Sequence, residues 1–106
     1  MKNNYILFKE RNTQHRIKIE SILFVRTNDH VTKMFAGKSI FNFNTPLQEL
    51  LEDPNFKCLV QIHRCFAVNI HQVTAINRTE IFIEHIRLPI GRNFSETVHK
   101  AFLNTT

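Results

Sequence analysis

The 106-residue sequence has no tryptophan, one tyrosine, two glycines, two cysteines and three prolines, and each scarcity removes a class of explanation. Cys58 and Cys65 are too few for a disulfide framework. Their spacing, with scattered histidines, does not supply the C-x2–4-C and paired histidines of a zinc site. With so little glycine there is no Gly-rich phosphate loop, and Gly37 and Gly91 are expected to mark backbone geometries that other residues resist. A single tyrosine and core-patterned phenylalanines offer no stacking platform for single-stranded RNA. No apolar run nears the ~18 residues of a membrane span. The N-terminus lacks a signal-peptide h-region, so a cytoplasmic chain without membrane contact is expected. Acidic residues are also scarce, nine against fourteen Lys and Arg. Glu49, Glu52 and Asp53 are gathered in one segment, which leaves the remainder strongly basic.

What is abundant is phenylalanine, ten residues of it, which with Ile, Val and Leu must build the core. Short β-type runs dominate: Tyr5–Lys9, Arg16–Ile19, Ile22–Val25, Val31–Phe35, Ser39–Phe43, Cys58–Ile62, Phe66–Val68, Val73–Ile76, Ile81–Ile83 and Ile86–Pro89. Ala36-Gly37-Lys38 and Asn77-Arg78-Thr79-Glu80 read as hairpin connections, and Glu84-His85 as a tight turn without glycine. The spacing argues for a single domain spanning 1–106, an all-β meander. Two helices interrupt it. Thr45-Pro46-Leu47-Gln48 is a capping box with Pro at the first helical position, and Pro54 ends that helix. Asn93 is the expected N-cap of a C-terminal helix, with Phe94, Val98, Ala101 and Phe102 as its core-facing stripe. Neither helix has a basic face suited to a major groove, which argues against a helix-turn-helix.

The net charge of +5 and pI of about 9.6 fit a nucleic-acid-binding domain, and one stretch sharpens that reading. In Gln61-Ile62-His63-Arg64-Cys65-Phe66-Ala67-Val68-Asn69, strict alternation puts Arg64 in the file of Val60, Ile62, Phe66 and Val68. A buried, unpaired guanidinium costs far more than a marginally stable domain can lose. The strand must therefore bend near His63–Cys65 and turn Arg64 outward, with His63 as the hydrogen-bonded support of the bend. Phe24 and Arg26 share a file, as do Ile90 and Arg92, so three apolar files each run into an arginine beside a loop. Arginine forks onto guanine or pairs phosphate. The ordinary alternative for any one of them is a solvated strand end. His15, His71 and His99 are expected only to solvate. A thiol–imidazole pair of His63 with Cys65 or Cys58 lacks an orienting group and an oxyanion feature, so no enzyme is expected.

The order F-x6-H-R-C-F-A-V-N, V-T-A-I-N-R and L-P-I-G-R closely resembles the LytTR family of bacterial DNA-binding domains. Ile22-Leu23-Phe24-Val25-Arg26 and Thr45-Pro46-Leu47-Gln48-Glu49-Leu50 resemble that family's upstream strand and helix, so the likeness runs from about Ile17 to Phe102. It implies a mainly β domain, an elongated antiparallel fold of about ten short strands with one or two short helices. It also implies that loops, not a recognition helix, enter successive major grooves of double-stranded DNA, as the output of a bacterial response regulator. Residue by residue, the resemblance makes Arg92 the best base reader and Arg64 a second contact. His30 or Asn28 falls in the third contact region, with Arg26, His63 and Asn93 beside these loops. Asn69 is either a loop organiser or a phosphate contact. Cys65 stands where the family usually has serine, and Arg26 where many relatives have glutamate. A homodimer on repeated sites, and a receiver or membrane domain in a longer parent chain, are further expectations. No cofactor or metal is implied. The competing reading is a non-catalytic protein-interaction β-domain that binds peptides by strand addition.

Overall fold

The structure, a computed structural model, describes residues 4–105. Two strands, β1 (Tyr5–Glu10) and β2 (Thr13–Lys18), form a hairpin closed by the Arg11-Asn12 turn. β3 (Ile22–Asn28), β4 (Val31–Ala36) and β5 (Ser39–Phe43) follow, then a short helix α1 (Leu47–Glu52). β6 (Leu59–His63) and β7 (Phe66–Asn69) complete a five-stranded antiparallel sheet of order β5-β4-β3-β7-β6. β8 (Ala75–Ile76), β9 (Glu80–Ile83) and β10 (Ile86–Pro89) make a third, small sheet, and α2 (Ser95–Leu103) closes the fold. Ten strands thus fall on the ten apolar runs, but the path is no pure meander, because β3 pairs with β7 across the whole α1–β6 segment.

The central sheet is covered on both sides, which is why Ile22, Leu23, Phe24 and Val25 are all buried without alternation. One face packs Val25, Met34 and Ala67 against Ile6 and Phe8 of the β1–β2 hairpin and Leu47 and Leu50 of α1. The other packs Phe24, Ile62 and Val68 against Ile81, Ile83 and Leu88 of the small sheet and Val98 of α2. Fully buried side chains such as Ile62, Ile81 and Ile83 each contribute about 1.5–3 kcal/mol of transfer free energy. The layers stack into a slab of 40 × 36 × 25 Å.

Three local expectations are corrected. The Thr45 capping box does not form: Pro46 occupies the N-cap with no side-chain bond, and the Thr45 carbonyl accepts from the buried Thr32 hydroxyl at 2.6 Å. Asn93 does not cap α2, because residues Arg92–Phe94 form a single 3-10 turn and the N-cap position falls on Phe94. His15 is not a solvated side chain. It lies half-buried, stacked on Phe8 and edge-on to Phe41, with Nε2 3.5 Å from Glu10. The same Glu10 carboxylate accepts the Asn42 backbone N–H at 2.9 Å and so clasps the hairpin to β5. That N–H holds the carboxyl below its usual range, with Arg11 and His15 adding to the effect against the cost of desolvation.

Candidate nucleic-acid interface

Antiparallel register sets the site. Directly opposed residues project to the same face, and His63, Phe66, Arg26, Lys33 and Asn42 form one such row across five strands. The row beneath it on that face runs Val60, Val68, Phe24, Phe35 and Ile40; the first four pack with the small sheet, and Ile40 at the sheet edge is exposed. Where that cover ends, Arg26 and Lys33 are exposed side by side. The two like charges oppose each other across a strand pair, an unfavourable placement unless something anionic screens them.

Two main-chain bonds tie three turns to this row. The Thr27 N–H donates to the Cys65 carbonyl at 2.9 Å, fastening the β6–β7 turn to the root of the Asp29-His30 turn. The Gly91 N–H donates to the Ile62 carbonyl at 2.7 Å, fastening the segment before α2 to the end of β6. Arg64 is exposed in the turn between β6 and β7, as the broken parity requires, and Arg92 and Asn93 are exposed in the 3-10 turn that leads into α2. Asn28 and His30 are exposed at the tip of the β3–β4 hairpin. The structure therefore brings together Arg26, Asn28, His30, His63, Arg64, Arg92 and Asn93.

Asn69 stands apart. It is fully buried at the far end of β7, with Nδ2 donating to the Ile19 and Ile22 carbonyls, both at 3.0 Å, and Oδ1 accepting from the His71 N–H at 3.2 Å. These bonds join β7 to the Ile19–Ser21 and Ile70–Gln72 turns, the geometry of a loop organiser. A side chain with both ends engaged in the interior has nothing left for phosphate.

Gly91 serves the site by its size. Its φ of −70° is open to any residue, so the expectation of a special backbone is replaced by one of space. A Cβ there would sit 3.0 Å from Phe94 Cδ2 and 3.5 Å from His63 Cα. Gly37, by contrast, does take a positive φ of 58° in the β4–β5 turn.

Among the described residues, ion pairs form between His15 and Glu10 and between Lys100 and Glu96, and none of these residues is an acidic partner for Arg26, Lys33, Arg64 or Arg92. Asp29, at the hairpin tip with φ 59°, is the nearest acidic residue in sequence to Arg26 and His30. Lys33 escaped the sequence reading because it lies mid-strand; only its register with Arg26 brings it to the site. Burial raises the Cys58 thiol above its ordinary range. Among the described residues no group of three or more His, Cys, Asp and Glu is arranged to hold a metal. No helix is long and apolar enough to cross a membrane.

The family model of the LytTr DNA-binding domain matches residues 12–103. Among solved structures, the chain is similar to the LytTr DNA-binding domain of a Bacillus cereus protein described as a methyl-accepting/DNA response regulator. The TM-score is 0.73 at 17% identity, over 94% of this chain and 97% of that one. No curated protein matches at the level of sequence. The chain belongs to the LytTR family of DNA-binding domains.

Proposed function

We propose that the domain binds double-stranded DNA in a sequence-specific way, through the three turns rather than a helix, as the DNA-binding part of a bacterial transcription regulator. The observation that carries this reading is the cluster of Arg26, Lys33, Arg64 and Arg92, all exposed around three turns locked together by main-chain bonds. Rigidly mounted loops are where recognition groups concentrate, and unneutralised cations on a common face attract a polyanion. In this reading Arg92 reads a base edge and Arg64 a second base or a phosphate. Asn28, His30 and Asn93 donate from the turn tips, and Arg26 and Lys33 neutralise the backbone between them. The Bacillus cereus relative is described as a response regulator. By analogy this domain serves as the output module of a two-component protein in the cytoplasm, under a receiver or membrane domain, and pairs with a second copy on repeated sites. DNA binding, not catalysis, is the activity of the family.

Selection of bound duplexes from a random pool, at two salt concentrations, tests the reading. Enrichment of a motif is expected, with log K falling by about 0.9 per phosphate neutralised for each unit of log salt. Arg92→Ala should cost roughly 1–3 kcal/mol and relax one position of the motif. Failure to enrich any motif, with binding lost at modest salt, overturns sequence-specific recognition. Salt-insensitive binding of an extended peptide would instead favour the protein-interaction reading.

A further inference from the structure

Two-residue hairpin turns twist correctly when one or both residues take a positive φ, as in the primed turn types. The other two-residue turns of this chain obey the rule: Arg11 (φ 58°), Asp29 (φ 59°), Gly37 (φ 58°) and Glu84 (φ 53°) each provide it. The Arg64-Cys65 turn does not. Neither residue has a positive φ, and the β6–β7 pairing shifts register between Gln61 and His63. Two turn residues without positive φ fit an unprimed turn, which splays a hairpin, and the register shift beside it takes up the mismatch next to one of the exposed arginines. What holds it is a side chain: the Cys65 N–H donates to His63 Nδ1 at 3.1 Å, while the Cys65 carbonyl is taken by Thr27. Residue i accepting from the N–H of residue i+2 is the bond Asn and Asp make in an Asx turn. Here an imidazole makes it, with its ring edge-on to Phe66.

We propose that His63 is a positioning residue for Arg64: as a neutral imidazole protonated on Nε2, it supplies through Nδ1 the acceptor that replaces the missing turn residue and so aims the arginine. The tautomer follows from the bond, since a nitrogen that accepts carries no proton. The neighbouring residue Ile62 is tied by its carbonyl to the Gly91 N–H at 2.7 Å. The proposal rests on the DNA-binding reading for its consequence, but the tautomer and the turn belong to the free protein.

Two measurements decide it, and they fail separately. Nitrogen-15 NMR of the free protein at neutral pH is expected to show His63 Nδ1 unprotonated and Nε2 protonated. Cys65 amide exchange should speed up in His63→Ala and return towards the wild-type rate in His63→Asn, whose Oδ1 can occupy the Nδ1 position. A protonated Nδ1, or fast exchange in His63→Asn, overturns the proposal whether or not DNA is bound. On the duplex enriched above, His63→Ala should lose about tenfold in affinity, the upper end of what one hydrogen bond carries. His63→Asn should recover most of it and His63→Gln, which mimics Nε2 instead, should not. The His63→Ala/Arg64→Ala pair should bind no worse than Arg64→Ala alone, because one acts through the other. Full additivity, or rescue by Gln rather than Asn, assigns His63 to direct contact with DNA and overturns the positioning role. Failure to enrich any duplex counts against the proposed function alone.

Discussion

Replacing Asn69 by alanine separates the two roles open to that residue. The substitution removes both donors to the Ile19 and Ile22 carbonyls and the acceptor for the His71 N–H. The Ile22 bond is buried and the other two are partly buried. A buried group left without a partner costs about 1–3 kcal/mol, and loss of a partly solvated bond about 0.5–1.5 kcal/mol. The three together come to about 2–6 kcal/mol. That is a large part of the ~5–15 kcal/mol by which a domain stays folded, and it corresponds to a fall in Tm of ~10 °C or more. The assay is urea unfolding of Asn69→Ala beside DNA affinity corrected for the folded fraction. The midpoint should drop steeply while the folded molecules bind as before, because the side chain is buried at the end of β7 remote from the arginines. An unmoved midpoint with a loss of affinity would refute the reasoning and return Asn69 to the DNA.

Gly91→Ala should destabilise the domain, because about 1–3 kcal/mol of overpacking against Phe94 and His63 outweighs the ~0.4–1 kcal/mol gained by stiffening the unfolded chain. It should also weaken DNA binding; a stabilised variant with intact affinity would show that the close approach is incidental. Lys33→Ala should weaken binding to all duplexes about equally and lower the salt slope by about 1, the signature of a lost phosphate contact, read by titration at several salt concentrations. The depressed Glu10 carboxyl contributes stability that is present above the ordinary carboxylate pKa of about 4.3 and lost as pH falls through its lower folded value. Glu10→Gln should remove that acid-side component from the pH dependence of the unfolding midpoint, and an unchanged profile would show that the clasp to Asn42 is not held by charge.

The core and the exposed arginines at or beside three turns were legible because they obey local rules. Short β-type runs bounded by turn residues mark the strands, and the impossibility of burying Arg64 placed a bend near His63–Cys65, where the Arg64-Cys65 turn lies. What stayed hidden depends on contacts between distant segments. Thr45 has the look of a cap, yet its carbonyl is engaged by Thr32 from β4 and its side chain makes no cap bond. His15 sits in a polar stretch of sequence but packs against Phe8 and Phe41 from two different strands. Lys33 joins the interface only through its register with Arg26. Gly91 was expected to mark an unusual backbone, but its φ of −70° is ordinary and what sets the position apart is the nearness of Phe94 to a Cβ built there.

The bonds from Thr27 to Cys65 and from Gly91 to Ile62 join residues far apart in the chain. No hairpin or fragment holds the arginine triad by itself, and each arginine comes from a segment that folds against a different neighbour. Local opening at α2, which would free Arg92, silences the protein before most of the sheet is disturbed. A proteolytic clip between β10 and α2 should abolish binding while leaving the central sheet protected, so the C-terminal helix acts as the keystone of a recognition surface it does not itself line.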